Sequence, residues 1–130
     1  MDLWRLFMQN VKRLLIVDDE ESLTFSLYQT FIKLPIECEV ITTSNGEEAL
    51  LRLEKNKFDV VITDISMPGL DGLDLLSRIK LKYPDTRVIV ITAYGSDERE
   101  EQAYKRGAES YIEKPFDLHN IRDMVIKMLS

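Results

Sequence analysis

Leu14-Leu15-Ile16-Val17-Asp18-Asp19 sets four aliphatic residues in a row and then two carboxylates. The same shape returns at Val60-Val61-Ile62-Thr63-Asp64 and at Val88-Ile89-Val90-Ile91-Thr92. Runs this short and this evenly apolar fit strands of a parallel sheet that is covered on both faces. Two weaker runs, Cys38 to Thr42 and Ser110-Tyr111-Ile112, complete a set of five. Between the runs lie amphipathic stretches: Leu23, Leu27, Phe31 and Leu34 keep near-helical spacing, as do Ile121, Val125 and Met128. Punctuation agrees, with Pro35 closing the first helix, Asn45-Gly46 opening the second, Asp71 placed to cap the third and Gly107 just past the fourth. From Arg13 onward the pattern therefore predicts an α/β fold, a doubly wound five-stranded parallel sheet with five helices in three layers. Strand order is not written in such a pattern. The location of chemistry is, because ligands of these sheets bind beyond the carboxyl ends of the strands.

A chain of 130 residues is long enough to bury a core as one domain without a disulfide or structural metal. Hydrophobic residues at 45% and charged residues at 31% exclude the disordered and membrane-embedded classes. A formal net charge of -6 repels phosphate backbones, so direct nucleic-acid binding is not expected. The single Cys38 cannot form an intramolecular disulfide, and no His stands at a metal-ligand spacing from it, which fits a reducing, cytoplasmic setting. Residues 1–10 carry Leu3, Trp4, Leu6, Phe7 and Met8 around Arg5 and no small-residue cleavage site follows, so the segment reads as an appendage and neither a signal peptide nor a membrane span. Residues 11–130 form the domain.

The residues that end the apolar runs converge on one kind of chemistry. Asp18 and Asp19 follow the first run, Asp64 the third, Thr92 the fourth, and Lys114 comes shortly after the fifth. Any one of them could be a cap or a solvated loop residue, but together they deliver polar groups to a single rim. Three carboxylates gathered there repel one another, so one pKa should rise unless a counterion intervenes. A hard cation such as Mg²⁺ suits an all-oxygen set and commonly binds through one or two carboxylates plus phosphate. A carboxylate can also attack phosphorus to form an aspartyl phosphate, with Lys114 and Thr92 available to a phosphoryl group. Neither a G-x-G-x-x-G nor a G-x-x-x-x-G-K-[ST] loop is present, so nucleotide binding is unsupported.

With these residues in view, the chain resembles the receiver domain of two-component response regulators. Leu15-Ile16-Val17-Asp18-Asp19-Glu20, Asp64-Ile65-Ser66-Met67-Pro68-Gly69-Leu70-Asp71-Gly72, Thr92-Ala93 and Lys114-Pro115-Phe116 occur in order at family-like spacing, from about Val11 to the end. The resemblance implies a flavodoxin-like strand order 2-1-3-4-5, an order for which receiver proteins are a standing example. It implies Asp64 as phosphoacceptor and Mg²⁺ ligation by Asp19, Asp64 and the Ser66 backbone carbonyl, with Asp18 acting mainly through metal-bound water. Lys114 would bind the phosphoryl group or the Asp64 carboxylate, and Thr92 with Tyr111 would form the switch. A cis Lys114-Pro115 bond is also implied. Ser66 and Tyr94 are positions at which family members vary, and Tyr94 is expected to shield an acyl phosphate from water. The implied partners are a histidine kinase or histidine phosphotransfer protein and a downstream effector or output domain. A homodimer through the fourth helix, fifth strand and fifth helix would use residues within Glu98 to Lys105 and Asn120 to Lys127. His119 reads as an ordinary surface residue.

Two rivals use similar parts. A haloacid-dehalogenase-like phosphatase would carry a second Asp two residues after its nucleophile, where this chain has Ser66, and its acidic pair would follow the nucleophile. A receiver-like scaffold that signals without phosphorylation would have no need of Asp18, Asp19, Asp64, Thr92 and Lys114 together. The expected protein is a phosphoacceptor switch that assists its own phosphorylation and dephosphorylation, not a turnover enzyme.

Overall fold

The computed structural model of the chain describes Leu3, residues 11–67 and residues 69–130. Apart from Leu3, the expected appendage at residues 1–10 lies outside the described residues, as does Pro68. Among the described residues from 11 onward, ten elements alternate: β1 (Lys12–Val17), α1 (Glu21–Ile32), β2 (Cys38–Thr43), α2 (Gly46–Lys55), β3 (Val60–Asp64), α3 (Gly72–Lys82), β4 (Arg87–Thr92), α4 (Asp97–Lys105), β5 (Ser110–Glu113) and α5 (Leu118–Leu129). All strand pairings are parallel, and the order across the sheet is β2-β1-β3-β4-β5. This is the doubly wound architecture expected from the pattern.

Side-chain alternation explains the two helical layers. Leu15, Val17, Val61, Val88 and Val90 face a core closed by Ala49 and Leu53 of α2, Leu75, Leu76 and Ile79 of α3, and Ala103 of α4. Leu14, Ile16, Val60, Ile62, Ile89 and Ile91 face the other way, onto Leu27 and Phe31 of α1 and Ile121, Val125 and Leu129 of α5. A strand buried on both faces needs apolar residues at every position, hence the unbroken runs in β1, β3 and β4. The edge strand β5 is only half-buried, hence its weaker run.

Local signals behave as their chemistry requires. Asn45 and Asp71 each accept a backbone N–H of the helix they precede, from Glu48 at 2.8 Å and Leu73 at 2.8 Å. Gly107 has φ of 103°, the left-handed conformation that ends α4 without a Cβ penalty. The helical spacing through Leu34 overreaches: α1 stops at Ile32, and Leu34 is buried from the turn that follows. The Cys38 thiol is pushed up to about 11 by burial first and then by Asp59 and Glu39, which keeps it protonated and unreactive.

The register carries the fold toward its site. Val17 lies beside Thr63, Asp64 beside Ile91, and Thr92 beside Glu113. The residues that close β1, β3, β4 and β5 therefore reach the same rim.

Candidate functional site

Asp64 and Thr92 prove to be the last residues of β3 and β4, one position further into the sheet than their place after the apolar runs suggested. Sheet hydrogen bonding thus fixes both backbones. Asp18 and Lys114 each stand one residue beyond a strand and are anchored by the neighbour: the Asp18 N–H donates to the Thr43 carbonyl at 3.1 Å and the Lys114 N–H to the Thr92 carbonyl at 2.8 Å. The Lys114-Pro115 bond is cis.

The acidic groups meet as expected. Carboxylate oxygens of Asp18, Asp19 and Asp64 all lie within 4.8 Å of one another, with Asp18 and Asp64 buried and Asp19 exposed. Both buried carboxylates are oriented by the loop that follows them, each accepting the N–H two residues on: Glu20 to Asp18 Oδ1 at 2.8 Å and Ser66 to Asp64 Oδ1 at 2.8 Å. Their other oxygens share one cation. Lys114 Nζ donates to Asp18 Oδ2 at 3.0 Å and to Asp64 Oδ2 at 2.9 Å, and reaches Glu20 at 3.4 Å.

The expected rise in one carboxyl pKa falls on Asp18, although repulsion is not its main cause. Burial pushes the Asp18 carboxyl up, the Glu20 N–H and Lys114 hold it down, and repulsion from Asp64 is the smallest of the contributions. Burial by itself would lower the Lys114 ammonium, but the hydrogen bonds to Asp64 and Asp18 outweigh that and hold it above its ordinary value. The lysine is therefore charged throughout the neutral range.

Thr92 is fully buried, and Ser66 stands between its hydroxyl and Asp64. Its Oγ1 accepts from the Tyr94 N–H at 3.1 Å and lies 3.4 Å from Ser66 Oγ. Tyr111 packs its ring against the core on the α2–α4 side, and its hydroxyl is shut off from solvent, facing the Ser96 backbone without a hydrogen bond of good geometry. Burial first raises the pKa of that hydroxyl, against a lowering influence of the Ser96 backbone. Tyr94 is 75% exposed on the β4–α4 loop. His119 is exposed in the first turn of α5, an ordinary surface position as expected.

Two participants escaped the strand-end pattern. Glu20 adds a third carboxylate to Lys114, and Arg99 of α4 donates from Nη1 to Ser66 Oγ at 3.3 Å. Glu20 adjoins Asp18-Asp19, so adjacency could have flagged it. Arg99 lies among the charges of Asp97-Glu98-Arg99-Glu100-Glu101, and no periodicity separates a residue aimed at the site from a solvated helical face.

One glycine is required by the site. A Cβ on Gly72 would fall 2.4 Å from the Asp64 carbonyl oxygen and 2.3 Å from Ile65 Cα, so only glycine lets α3 start against the end of β3.

The carboxylates offer an oxygen-only donor set, two buried and one exposed, in which one lysine is shared between the two buried members. That donor set fits a hard divalent cation that keeps part of its water, as Mg²⁺ does.

The family model for the response regulator receiver domain matches residues 14–126. The chain belongs to that family. Among curated relatives, the receiver is 36% identical over 118 residues to Sporulation initiation phosphotransferase F of Bacillus subtilis, covering 91% of this chain and 94% of that protein. It is 36% identical over 115 residues to the DNA-binding transcriptional regulator NtrC of Salmonella typhimurium, where it covers 88% of this chain and spans 24% of that protein's length. Among solved structures, a CheY-like receiver domain protein of Methanospirillum hungatei superposes with a TM-score of 0.83 at 28% identity, covering 92% of this chain and 94% of that one. The order β2-β1-β3-β4-β5 is the flavodoxin-like order of receivers.

Proposed function

We propose that the receiver is a phosphorylation switch in which Asp64 accepts a phosphoryl group from a histidine kinase or a histidine phosphotransfer protein. The observation that carries this reading is the pairing of Lys114 with both Asp18 and Asp64, two buried carboxylates brought to one rim by strands far apart in sequence. A carboxylate so placed is a fixed nucleophile with an ammonium beside it.

In the proposed reaction an Asp64 carboxylate oxygen attacks phosphorus, the bond from phosphorus to the donor nitrogen breaks, and the nitrogen leaves with the bonding pair. The charge on the transferring group is spread over its equatorial oxygens, so positioning and electrostatics do most of the work. Asp19, Asp64 and the Ser66 carbonyl are the proposed direct Mg²⁺ ligands, with Asp18 acting mainly through metal-bound water. When bound, the ion supplies neutralisation of nucleophile and phosphoryl oxygens alike. Lys114 moves from sharing carboxylates to holding a phosphoryl oxygen, and the Thr92 hydroxyl turns toward another. Tyr111 follows Thr92, which alters the surface of α4, β5 and α5 seen by an effector, an output domain or a second copy. Each charging event consumes the nucleophile until the acyl phosphate hydrolyses, so the domain is a switch and not a turnover enzyme. The single, unpaired Cys38 supports a reducing, cytoplasmic setting.

Intact mass after incubation with Mg²⁺ and acetyl phosphate tests the proposal. The expected result is a labile gain of one phosphoryl group that is lost in Asp64→Asn and without metal. A chain that gains nothing from this donor or from a phosphorylated histidine donor protein would overturn it.

A further inference from the structure

Arg99 occupies the first turn of α4, where the helix dipole and the free N–H groups disfavour a cation. Asp97, Glu98 and Glu100 stand in the same turn, yet among the described residues Arg99 forms no ion pair with any carboxylate. Its guanidinium instead extends across the rim to Ser66 Oγ at 3.3 Å. That hydroxyl lies 3.4 Å from Thr92 Oγ1, and the N–H of the same serine holds Asp64 Oδ1 at 2.8 Å. One oxygen of Asp64, Oδ2, is bound by the Lys114 cation, while Oδ1 is held by the neutral Ser66 N–H, whose own side chain carries the Arg99 guanidinium beside the site.

Charge decides what the second cation is for. Lys114 is already divided among Asp18, Asp64 and Glu20. Phosphorylation replaces the single charge of a carboxylate with a phosphoryl group of about -1.5 to -2, by analogy with phosphoserine, so the rim becomes more negative at the moment of transfer. Arg99 is exposed, and among the described residues its guanidinium is held by a neutral hydroxyl and by no carboxylate, so it is free to answer that charge, and its planar fork matches phosphoryl oxygens better than an ammonium does.

We propose that Arg99 is a second cation for the phosphoryl group, beside Lys114, which leaves Ser66 Oγ for a phosphoryl oxygen when Asp64 is charged. This rests on the reading of Asp64 as phosphoacceptor. Because Arg99 belongs to the first turn of α4, its move pulls directly on the helix that borders the proposed output surface, in parallel with Thr92 and Tyr111.

The test is the lifetime of the acyl phosphate in the full chain, charged with acetyl phosphate and Mg²⁺, freed of donor and followed by intact mass. Arg99→Gln should shorten the half-life by roughly three- to tenfold, the scale of one charge-assisted hydrogen bond at a partly exposed site. Arg99→Lys should restore part of it. The gap between wild type and Arg99→Gln should narrow in high salt, a response that a purely structural role would not give. A half-life in Arg99→Gln equal to or longer than that of wild type overturns the proposal while leaving Asp64 as phosphoacceptor intact. A wild-type chain that cannot be charged by any donor overturns the phosphoacceptor reading and this inference with it.

Discussion

Replacing Lys114 by Met keeps the length of the side chain and removes the ammonium shared by the acidic cluster. That ammonium stands 3.0 Å from Asp18 and 2.9 Å from Asp64, whose side chains are 0% and 6% exposed. Its contact with Glu20, 55% exposed at 3.4 Å, is screened by water and contributes about 0.5 kcal/mol or less. Removing one partner of a buried pair destabilises a protein by about 3–5 kcal/mol, because the remaining charge is stranded. Protonation sets an independent ceiling. A carboxyl of ordinary acidity takes up a proton at neutral pH for about 4 kcal/mol, so the site neutralises itself before the loss climbs far beyond that. The expected loss in Lys114→Met, with metal chelated, is therefore about 3–4 kcal/mol. A domain of this size has about 5–15 kcal/mol in total and would stay folded with a reduced margin.

The pH dependence identifies the stranded group. The Asp18 carboxyl titrates above its ordinary value of 3.8 in the folded chain, burial being the chief cause. A raised folded pKa contributes stability that is complete below that ordinary value and is lost as pH rises through the folded one. Without Lys114, two of the influences that hold the Asp18 pKa down disappear, and the window widens upward. Urea unfolding followed by circular dichroism in EDTA should show Lys114→Met regaining stability as pH falls from about 7 to about 5, more steeply than wild type. Mg²⁺ should raise the mutant's midpoint further than the wild type's, one cation standing in for another. A mutant within about 1 kcal/mol of wild type at neutral pH, with no added response to acid or metal, would refute the reasoning and show the pair to be solvent-screened.

Two further substitutions probe the supports of the site. Gly72→Ala forces a Cβ into the Asp64 carbonyl and Ile65 Cα, and should lower stability by about 3 kcal/mol or more while shifting the amide resonances of Ser66, as read by urea unfolding and NMR. Tyr111→Phe deletes a hydroxyl that is shut off from solvent and faces only the Ser96 backbone, with no hydrogen bond of good geometry, and should change stability by no more than about 1 kcal/mol in the same unfolding assay; a larger loss would show that the oxygen is firmly hydrogen-bonded.

The parts legible in the sequence are those governed by short-range rules. Unbroken aliphatic runs mark strands covered on both sides, Asn45 and Asp71 mark helix starts through their own side chains, and polar residues at strand ends mark the rim. Because a parallel sheet aligns its carboxyl ends, Asp18, Asp64, Thr92 and Lys114 could be assigned to one site before any distance was known. What escaped depends on side-chain reach and on burial. Arg99 is one charge among many on α4, and its contact with Ser66 follows from how the start of that helix lies beside the β3–α3 loop. The rise at Asp18 was expected from crowding but comes mostly from burial, which no local pattern reports. Leu34 kept helical spacing yet packs from a turn, since an apolar residue can fill the same core space from either conformation.

The hydrogen bonds around Asp64 also constrain where a switch can act. Both its oxygens are engaged in the uncharged domain, Oδ1 by the Ser66 N–H and Oδ2 by Lys114. A phosphoryl group joined to either oxygen must displace one of these donors or recruit it. The start of α3 cannot give way, because Gly72 is packed directly on the Asp64 carbonyl and Ile65. Lys114 is held through its backbone N–H to Thr92. The softer direction is the β4–α4 loop, where Ala93, Tyr94, Gly95 and Ser96 are exposed and the Ser66, Thr92 and Arg99 side chains meet at 3.3 to 3.4 Å, longer than the bonds that hold Asp64 itself. Under the proposed function, strain introduced at Asp64 would thereby be steered toward α4 and away from the sheet, leaving the five-stranded core in place while the surface responds.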